Sequence, residues 1–476
     1  MGGSSSSRSS ENEVPNTAFL GFGGGQRAMV DLMGSLVQLH NTGGSNSRHS
    51  KSEVRIQHSL NEKEEAFVAR RKKTVLQCLR KLQINCDWDN LPNIALLGSG
   101  GGQRAMVALL GSLVELDKAG LLDCVLYLSG VSGSTWCMAS LYKEPDWSTK
   151  LETVKNKIIE RLNGPGVSRG DTYEKLTKYW ESTGRDGKDF SMTHIWAAMV
   201  ITTYVKEIDE HTLSEQWDHL SKDPFPIYTV IDKQCQQQGD GDPWFEISPY
   251  EAGYSLTGAF VETSSFGSQF DNGRKIKEQP EMDMLYLQGP LMLTSINKCF
   301  DEWIWGRKYN FLYKMTDKTV PPTLLKSETR DYIDAGLLNN SPYFSVLRKE
   351  RDIDLIISLD FSEGDPFMTV REAAEMCKKL KIPFPEVNIP SEDVKKPKDF
   401  YVFKGQNTPT VIHIPLFNVV NYDIGAWWKN YTTFQGPYSA EMITDLMEVA
   451  GKNISNNRGK LLEQIREVSI TKRFKS

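Results

Sequence analysis

The stretch Asp123-Cys-Val-Leu-Tyr-Leu-Ser-Gly-Val-Ser-Gly-Ser-Thr-Trp136 is an apolar run that ends abruptly in small residues. Cys124 to Leu128 is continuously apolar, bounded by turn formers and too short for a helix, which predicts a buried strand. Gly130-Val-Ser-Gly-Ser134 then redirects the chain into a helix. So sharp a turn passes through backbone angles that penalise a Cβ, hence glycines on either side of the one presented side chain, Ser132. Its hydroxyl is expected where a strand ends and a helix begins, a place whose backbone dipole favours developing negative charge. This is the pattern of a nucleophile elbow, although Gly-x-Ser-Gly alone is equally an ordinary tight turn.

A second element lies 32 residues upstream. Ile94-Ala-Leu-Leu97 predicts another short buried strand, followed by Gly98-Ser-Gly-Gly-Gly-Gln-Arg104 and a helical run from Ala105 to Leu116. Three successive glycines at a helix start expose several N–H groups in one concavity, which suits an oxyanion. A phosphate loop is the rival reading, but the Gly-Lys-Ser/Thr ending is missing. Gln103 also stands where a dinucleotide fingerprint would place its third glycine.

A chain of 476 residues can hold two or three domains or one large α/β domain with insertions. Its net charge of -5 gives no footprint for nucleic acid. The seven cysteines are dispersed without a C-x-x-C pair, which argues against a disulfide framework or a zinc site and for a reducing compartment. No metal or cofactor is expected. No apolar run is long enough to span a bilayer and the amino terminus lacks a secretory signal, so a cytoplasmic protein is expected. Met1-Gly-Gly-Ser-Ser-Ser6 matches the short myristoylation pattern, which serine-rich starts also match by chance.

Residues 1–50 read as a disordered or appended segment, and 51–476 as the catalytic domain. Pro15 to Leu39 repeats Pro92 to Leu116 with 19 of 25 positions identical, yet no serine elbow follows it. Asp31, where the downstream copy has Ala108, would put a charge into the helix that packs on the sheet, which favours an appendage over a competitor for the same place. Asn61 begins a capping box for an amphipathic helix over 62–83, with Arg70-Arg-Lys-Lys73 on its polar side. Strands are predicted at 225–231, 244–248 and 353–360, with two more between 397 and 420. Tyr286 to Trp305 reads as a surface element near the site, and Lys452 to Thr471 as a terminal helix.

Tyr332-Ile-Asp-Ala-Gly336 places Asp334 at a strand end, on the loop side of the sheet where α/β proteins keep their sites. A turn aspartate is the plainer reading of Asp-Ala-Gly. None of the seven histidines sits in a glycine-rich or strand-end context, and His413 reads as structural. A Ser/Asp pair is therefore the arrangement to consider, with Asp334 taking the hydroxyl proton. An unperturbed aspartate, with a pKa of about 3.9, is too weak a base, so it would need desolvation.

Gly98-Ser-Gly-Gly-Gly-Gln-Arg-Ala105, Gly130-Val-Ser-Gly-Ser-Thr-Trp136 and Asp334-Ala-Gly336, in that order, resemble the catalytic domain of cytosolic (group IV) phospholipase A2, most of all its gamma type. Trp244-Phe-Glu246 and Ser358-Leu-Asp-Phe-Ser-Glu-Gly-Asp-Pro-Phe367 add to the resemblance, which runs from about Glu53 to near the carboxyl terminus. It implies a patatin-related α/β fold, a central mixed sheet flanked by helices. It also implies Ser132 as nucleophile, Asp334 as base, Gly101 and Gly102 as oxyanion donors, and Arg104, with Arg351, as contacts for the phospholipid. The implied substrate is a glycerophospholipid at a membrane surface, cleaved at the sn-2 ester through an acyl-enzyme, with lysophospholipase and transacylase activity from the same intermediate.

Three departures from that family stand out. There is no room before residue 60 for a calcium-dependent lipid-binding domain, the chain ends Lys472-Arg-Phe-Lys-Ser476 without a prenylation cysteine, and only Gln288 to Glu302 precedes Trp303-Ile-Trp-Gly306, implying a shortened lid. Calcium-independent docking follows as an expectation. The alternative is a catalytically impaired lipid-binding relative.

Overall fold

Ile94–Gly98 and Tyr127–Gly130 lie side by side at the centre of a sheet, and every residue of both is buried. Strands covered on two faces carry unbroken apolar runs, as parallel strands under helices do. The computed structural model describes residues 53–183, 190–215, 222–239, 241–289, 306–421, 429–433 and 435–475. The chain divides after Lys51, and all that follows concerns the second unit, Ser52–Ser476. The expected appendage with its repeat, and the short lid before Trp303, lie outside the described residues.

Among the described residues the strands are β1 (Val54–Ile56), β2 (Ile94–Gly98), β3 (Tyr127–Gly130), β4 (Phe225–Asp232), β5 (Trp244–Ile247), β6 (Glu251–Tyr254), β7 (Ala259–Glu262), β8 (Gln269–Asp271), β9 (Arg274–Lys277), β10 (Arg307–Tyr309), β11 (Thr329–Asp334), β12 (Leu355–Asp360), β13 (Tyr401–Phe403) and β14 (Thr410–Pro415). Twelve form one mixed sheet in the order β1-β7-β6-β5-β4-β3-β2-β12-β14-β13, with β11 attached to β4 and β10 to β11. From β4 to β14 the neighbours on this path run parallel; from β4 back to β1 they form an antiparallel meander. This is the expected mixed α/β architecture.

Four helices matter most to the site and its support. They are α1 (Glu62–Lys81), α2 (Gly102–Lys118), α3 (Gly133–Tyr142) and α4 (Ala440–Ser455). Asn61 caps α1 by accepting from the Lys63 N–H at 2.9 Å, but the expected capping box does not close, because Glu64 turns inward to Arg351. The first thirteen residues of α2 are all buried. Gly111 lets α4 approach closely, since a Cβ there would stand 2.5 Å from the Met447 carbonyl oxygen.

Three further expectations need correction. The strand begins at Tyr127 rather than Cys124, and Leu122–Cys124 form a single 3-10 turn. The cause is Arg71, whose guanidinium donates to the carbonyls of Leu122 (3.1 Å) and Val125 (3.0 Å), so a side chain satisfies backbone that a sheet ladder would otherwise claim. Arg71 is consequently buried instead of lying on the polar face of α1. Near the carboxyl terminus two helices, α4 and Arg458–Lys475, replace the single expected one. Asn457 marks the break, its amide donating to Asp399 Oδ2 and the Asn453 carbonyl.

Gly111→Ala should lower stability by about 1–3 kcal/mol, because the methyl meets immobile backbone rather than a side chain that can swing away. Urea denaturation followed by circular dichroism measures it; a variant as stable as the parent would contradict the close helix contact.

Candidate active site

Strand β4 brings the two chemical segments together. One flank of it pairs with β5, from Tyr228 to Ile231. The other takes β3 up to Gly130 opposite Tyr228, then β11, arriving from the opposite direction, with Asp334 opposite Val230. The ends of β3 and β11 therefore meet head to head, two residues apart along β4. Ser132 follows β3 by two residues, so it turns out of the sheet where β11 delivers Asp334.

The serine turn is sharp. Ser132 has φ 53° and ψ -128°, a conformation that costs about 1–3 kcal/mol and persists only where the surroundings enforce it. It stands as the N-cap of α3, yet its side chain makes no capping bond, which leaves the hydroxyl for other partners. Gly133 must be glycine, because a Cβ there would lie 1.8 Å from the Gly102 carbonyl oxygen. A Cβ on Gly100 would come within 2.8 Å of Ser132 Cβ. The glycine loop is thus packed backbone to backbone against the serine turn.

In that loop Gly101 has φ 147° and Gly102 φ 56°, angles that glycine adopts without penalty. Gly101 is the N-cap of α2 and Gly102 its first residue, so their N–H groups are among those a helix leaves without an intrahelical acceptor. Asn340 anchors the loop. Its carbonyl accepts from the Gly100 N–H at 3.0 Å, and its side-chain amide donates to the Gly100 carbonyl (3.2 Å) and to Ser362 Oγ (2.8 Å). Because Asn340 follows Asp334 by six residues, it ties the acid's loop to the glycine loop. Sequence reasoning missed it, although its place in Leu338-Asn-Asn-Ser-Pro342 was a turn signal beside the candidate acid.

Asp334 is fully buried, and burial pushes its carboxyl up to about 7. The Gly336 N–H, donating at 2.7 Å, opposes the shift, and so does the nearby Ser132 side chain. Among the described residues no imidazole hydrogen-bonds either Ser132 or Asp334. His194 bonds Ser191, His211 bonds Asp209, and His413 is a buried partner of the Pro366 carbonyl at 2.7 Å, as its strand context predicts.

The two arginines fare differently. Arg104 lies beside Gly101, buried, with Nε on the Phe361 carbonyl (2.8 Å), Nη1 on the Tyr431 carbonyl (2.6 Å) and Nη2 on Thr433 Oγ1 (3.2 Å). It braces the glycine loop, and would have to give up these partners to hold a phosphate. Arg351 is not brought to the site. It precedes β12, at the opposite end of the parallel strands from Ser132, and its guanidinium pairs with Glu64 (2.9 and 3.1 Å) and Glu246 (2.8 and 3.0 Å). Arg348 joins the same buried cluster through Glu246 at 2.7 Å. The expected substrate contact at Arg351 is therefore replaced by an internal ion-pair network.

A family profile for the lysophospholipase catalytic domain matches residues 94–359, from the first residue of β2 to the last but one of β12. That span contains both Ser132 and Asp334. Human cytosolic phospholipase A2 gamma is 31% identical over an alignment covering 88% of this chain and 97% of that protein. This chain belongs to the cytosolic phospholipase A2 family of hydrolases. The mouse gamma protein is 30% identical, covering 86% of this chain and 92% of its own. Among solved structures, human GIVD cytosolic phospholipase A2 superposes with a TM-score of 0.76 at 25% identity, covering 89% of this chain and 69% of that one. A complex of the GIVD enzyme with methyl gamma-linolenyl fluorophosphonate gives 0.74 at 26% identity, covering 90% and 67%.

Arg351→Ala leaves the buried Glu64 carboxylate without its ion-pair partner and Glu246 with Arg348 alone, and should destabilise the fold by about 3–5 kcal/mol. Loss of that size in urea denaturation is expected, and a change below 1 kcal/mol would show that the network is dispensable.

Proposed function

We propose that this phospholipase A2 relative hydrolyses the sn-2 acyl ester of glycerophospholipids with Ser132 as nucleophile and Asp334 as its base, through an acyl-enzyme and without calcium. The observation that carries the reading is the head-to-head meeting of β3 and β11 on β4, which brings Ser132 to Asp334, whose buried carboxyl is raised to about 7. A base that titrates near the working pH combines a useful ionised fraction with real proton affinity.

Ser132 Oγ adds to the ester carbonyl carbon while its proton passes to Asp334. The N–H groups of Gly101 and Gly102 take the oxyanion, each such donor being worth about 3–4 kcal/mol. Collapse breaks the bond to the glycerol oxygen, which leaves with the proton from Asp334 as lysophospholipid. Water, deprotonated by Asp334, then attacks the acyl-enzyme and releases the fatty acid. An alcohol in place of that water gives transacylation, and a lysophospholipid as the first substrate gives lysophospholipase turnover. The charge develops on the carbonyl oxygen and is met by main-chain N–H donors, so this reading gives calcium no step. The fluorophosphonate bound by the solved GIVD relative is an electrophile of the type activated serines capture, and its linolenyl chain supports an acyl-binding site.

Contact with the cytoplasmic face of a membrane is part of the reading. Among the described residues no helix is long and apolar enough to cross a bilayer. Val419 and Val420, about half exposed, follow β14 on the edge of the sheet from which Ser132 emerges, which supports an apolar rim there.

Ser132→Ala should abolish release of label from sn-2-labelled phosphatidylcholine vesicles; hydrolysis at the parental rate would overturn the assignment. Since the ionised form of Asp334 is the active one, kcat/KM should rise about tenfold per pH unit below about 7 and level off above it. A raised carboxyl weakens the fold as pH rises, because the unfolded chain ionises from about pH 4 while the buried group resists until about 7. Asp334→Asn should thus be inactive yet melt higher than the parent, by a margin that widens between pH 5 and pH 8.

A further inference from the structure

Two thiols that the proposed ester chemistry leaves idle face each other in the core. Cys78, in the last turn of α1, and Cys124, in the 3-10 turn before β3, are both free, with their sulfurs 3.0 Å apart. We propose that Cys78 and Cys124 form a redox-modification site, closing to an intramolecular disulfide when a hydroperoxide oxidises the folded protein.

A disulfide has a sulfur separation of about 2.05 Å, so closure requires roughly 1 Å of approach between two secondary elements already in contact. The pair is asymmetric in the way that peroxide oxidation needs. Cys78 keeps 5% exposure against 1% for Cys124, so oxidant reaches it first. The contact with Cys124, helped by the Arg71 positive charge, lowers the Cys78 thiol from its ordinary value, while the same contact and burial drive Cys124 up. The more accessible sulfur with a second thiol in contact behind it is the attacking and resolving arrangement.

The step balances. The Cys78 thiolate displaces hydroxide from the peroxide O–O bond and becomes a sulfenic acid. Cys124 sulfur then attacks the Cys78 sulfur, the S–S bond forms, and the hydroxyl leaves with the Cys124 proton as water. Each sulfur loses one electron and the peroxide is reduced to two waters. A thiol reductant reverses the exchange.

The placement gives the bond a consequence. The bridged positions are 46 residues apart, and between them lie β2, the glycine loop and α2. A bridge would clamp both ends of the segment that carries Gly101 and Gly102, restricting chiefly the unfolded chain. Arg71 strengthens the frame around it, since its guanidinium holds the carbonyls on either side of Cys124.

The test uses the full chain, reduced and then treated with hydrogen peroxide under native conditions. The expected result is a peptide pair joining Cys78 to Cys124, two hydrogens lighter than the reduced pair and released by dithiothreitol, together with a higher melting temperature of the oxidised protein. Both effects should vanish in Cys78→Ser, the more exposed position and the gentler change, and in Cys124→Ser. Both thiols remaining open to alkylation after a treatment that leaves the fold intact would overturn the proposal. A bridge that forms only in urea would do so equally.

Discussion

The molecule depends on one approach of backbone to backbone, the Gly102 carbonyl oxygen against the Cα of Gly133. Gly133 cannot carry even a methyl group there. The contact arises because β2 and β3 are adjacent and parallel, so the loops that leave their carboxyl ends occupy the same few ångströms. It also explains why both loops are glycine-rich. Their glycines serve first to let two chains share a space, and the exposed N–H groups and presented hydroxyl follow from that crowding. The strained torsions of Ser132 are held by the same packing, and Asn340 adds a third chain to it.

The interior buries carboxylates in two contrasting ways. Burial alone would raise Glu246, but Arg351 and Arg348 outweigh it and hold the group at about 2. Asp334 is equally buried and has no cation beside it, only the Gly336 N–H and the nearby Ser132 side chain, and stands at about 7. The two groups differ in company rather than depth. The first stays ionised throughout the useful pH range and can only hold structure together. The second is poised to exchange a proton, as groups do where function sets the environment.

Much of this was legible in the sequence, for physical reasons that differ from element to element. The buried strands and the two turns announce themselves because they demand glycine or apolar residues at fixed spacing. The strand-end position of Asp334 could be read from two apolar neighbours and a following Ala-Gly. What escaped was set by contacts between distant segments. Arg71 looked like one of four surface charges, yet it turns inward to cap backbone 50 residues away and delays the start of β3. Arg351 matched a motif position but finds two carboxylates, from α1 and β5, that no local pattern reveals. Asn340 carries no motif of its own, and its importance is visible only once the glycine loop lies beside it.

The head-to-head meeting of β3 and β11 on β4 has a temporal meaning. Ser132 leaves the ribosome about 200 residues before Asp334, and β4 itself lies between them. A nascent chain carries the proposed nucleophile with no acid beside it until the late strand docks. For the proposed dyad, the geometry that separates the pair along the chain is an assembly interlock, since acid and alcohol meet only on completion of the sheet.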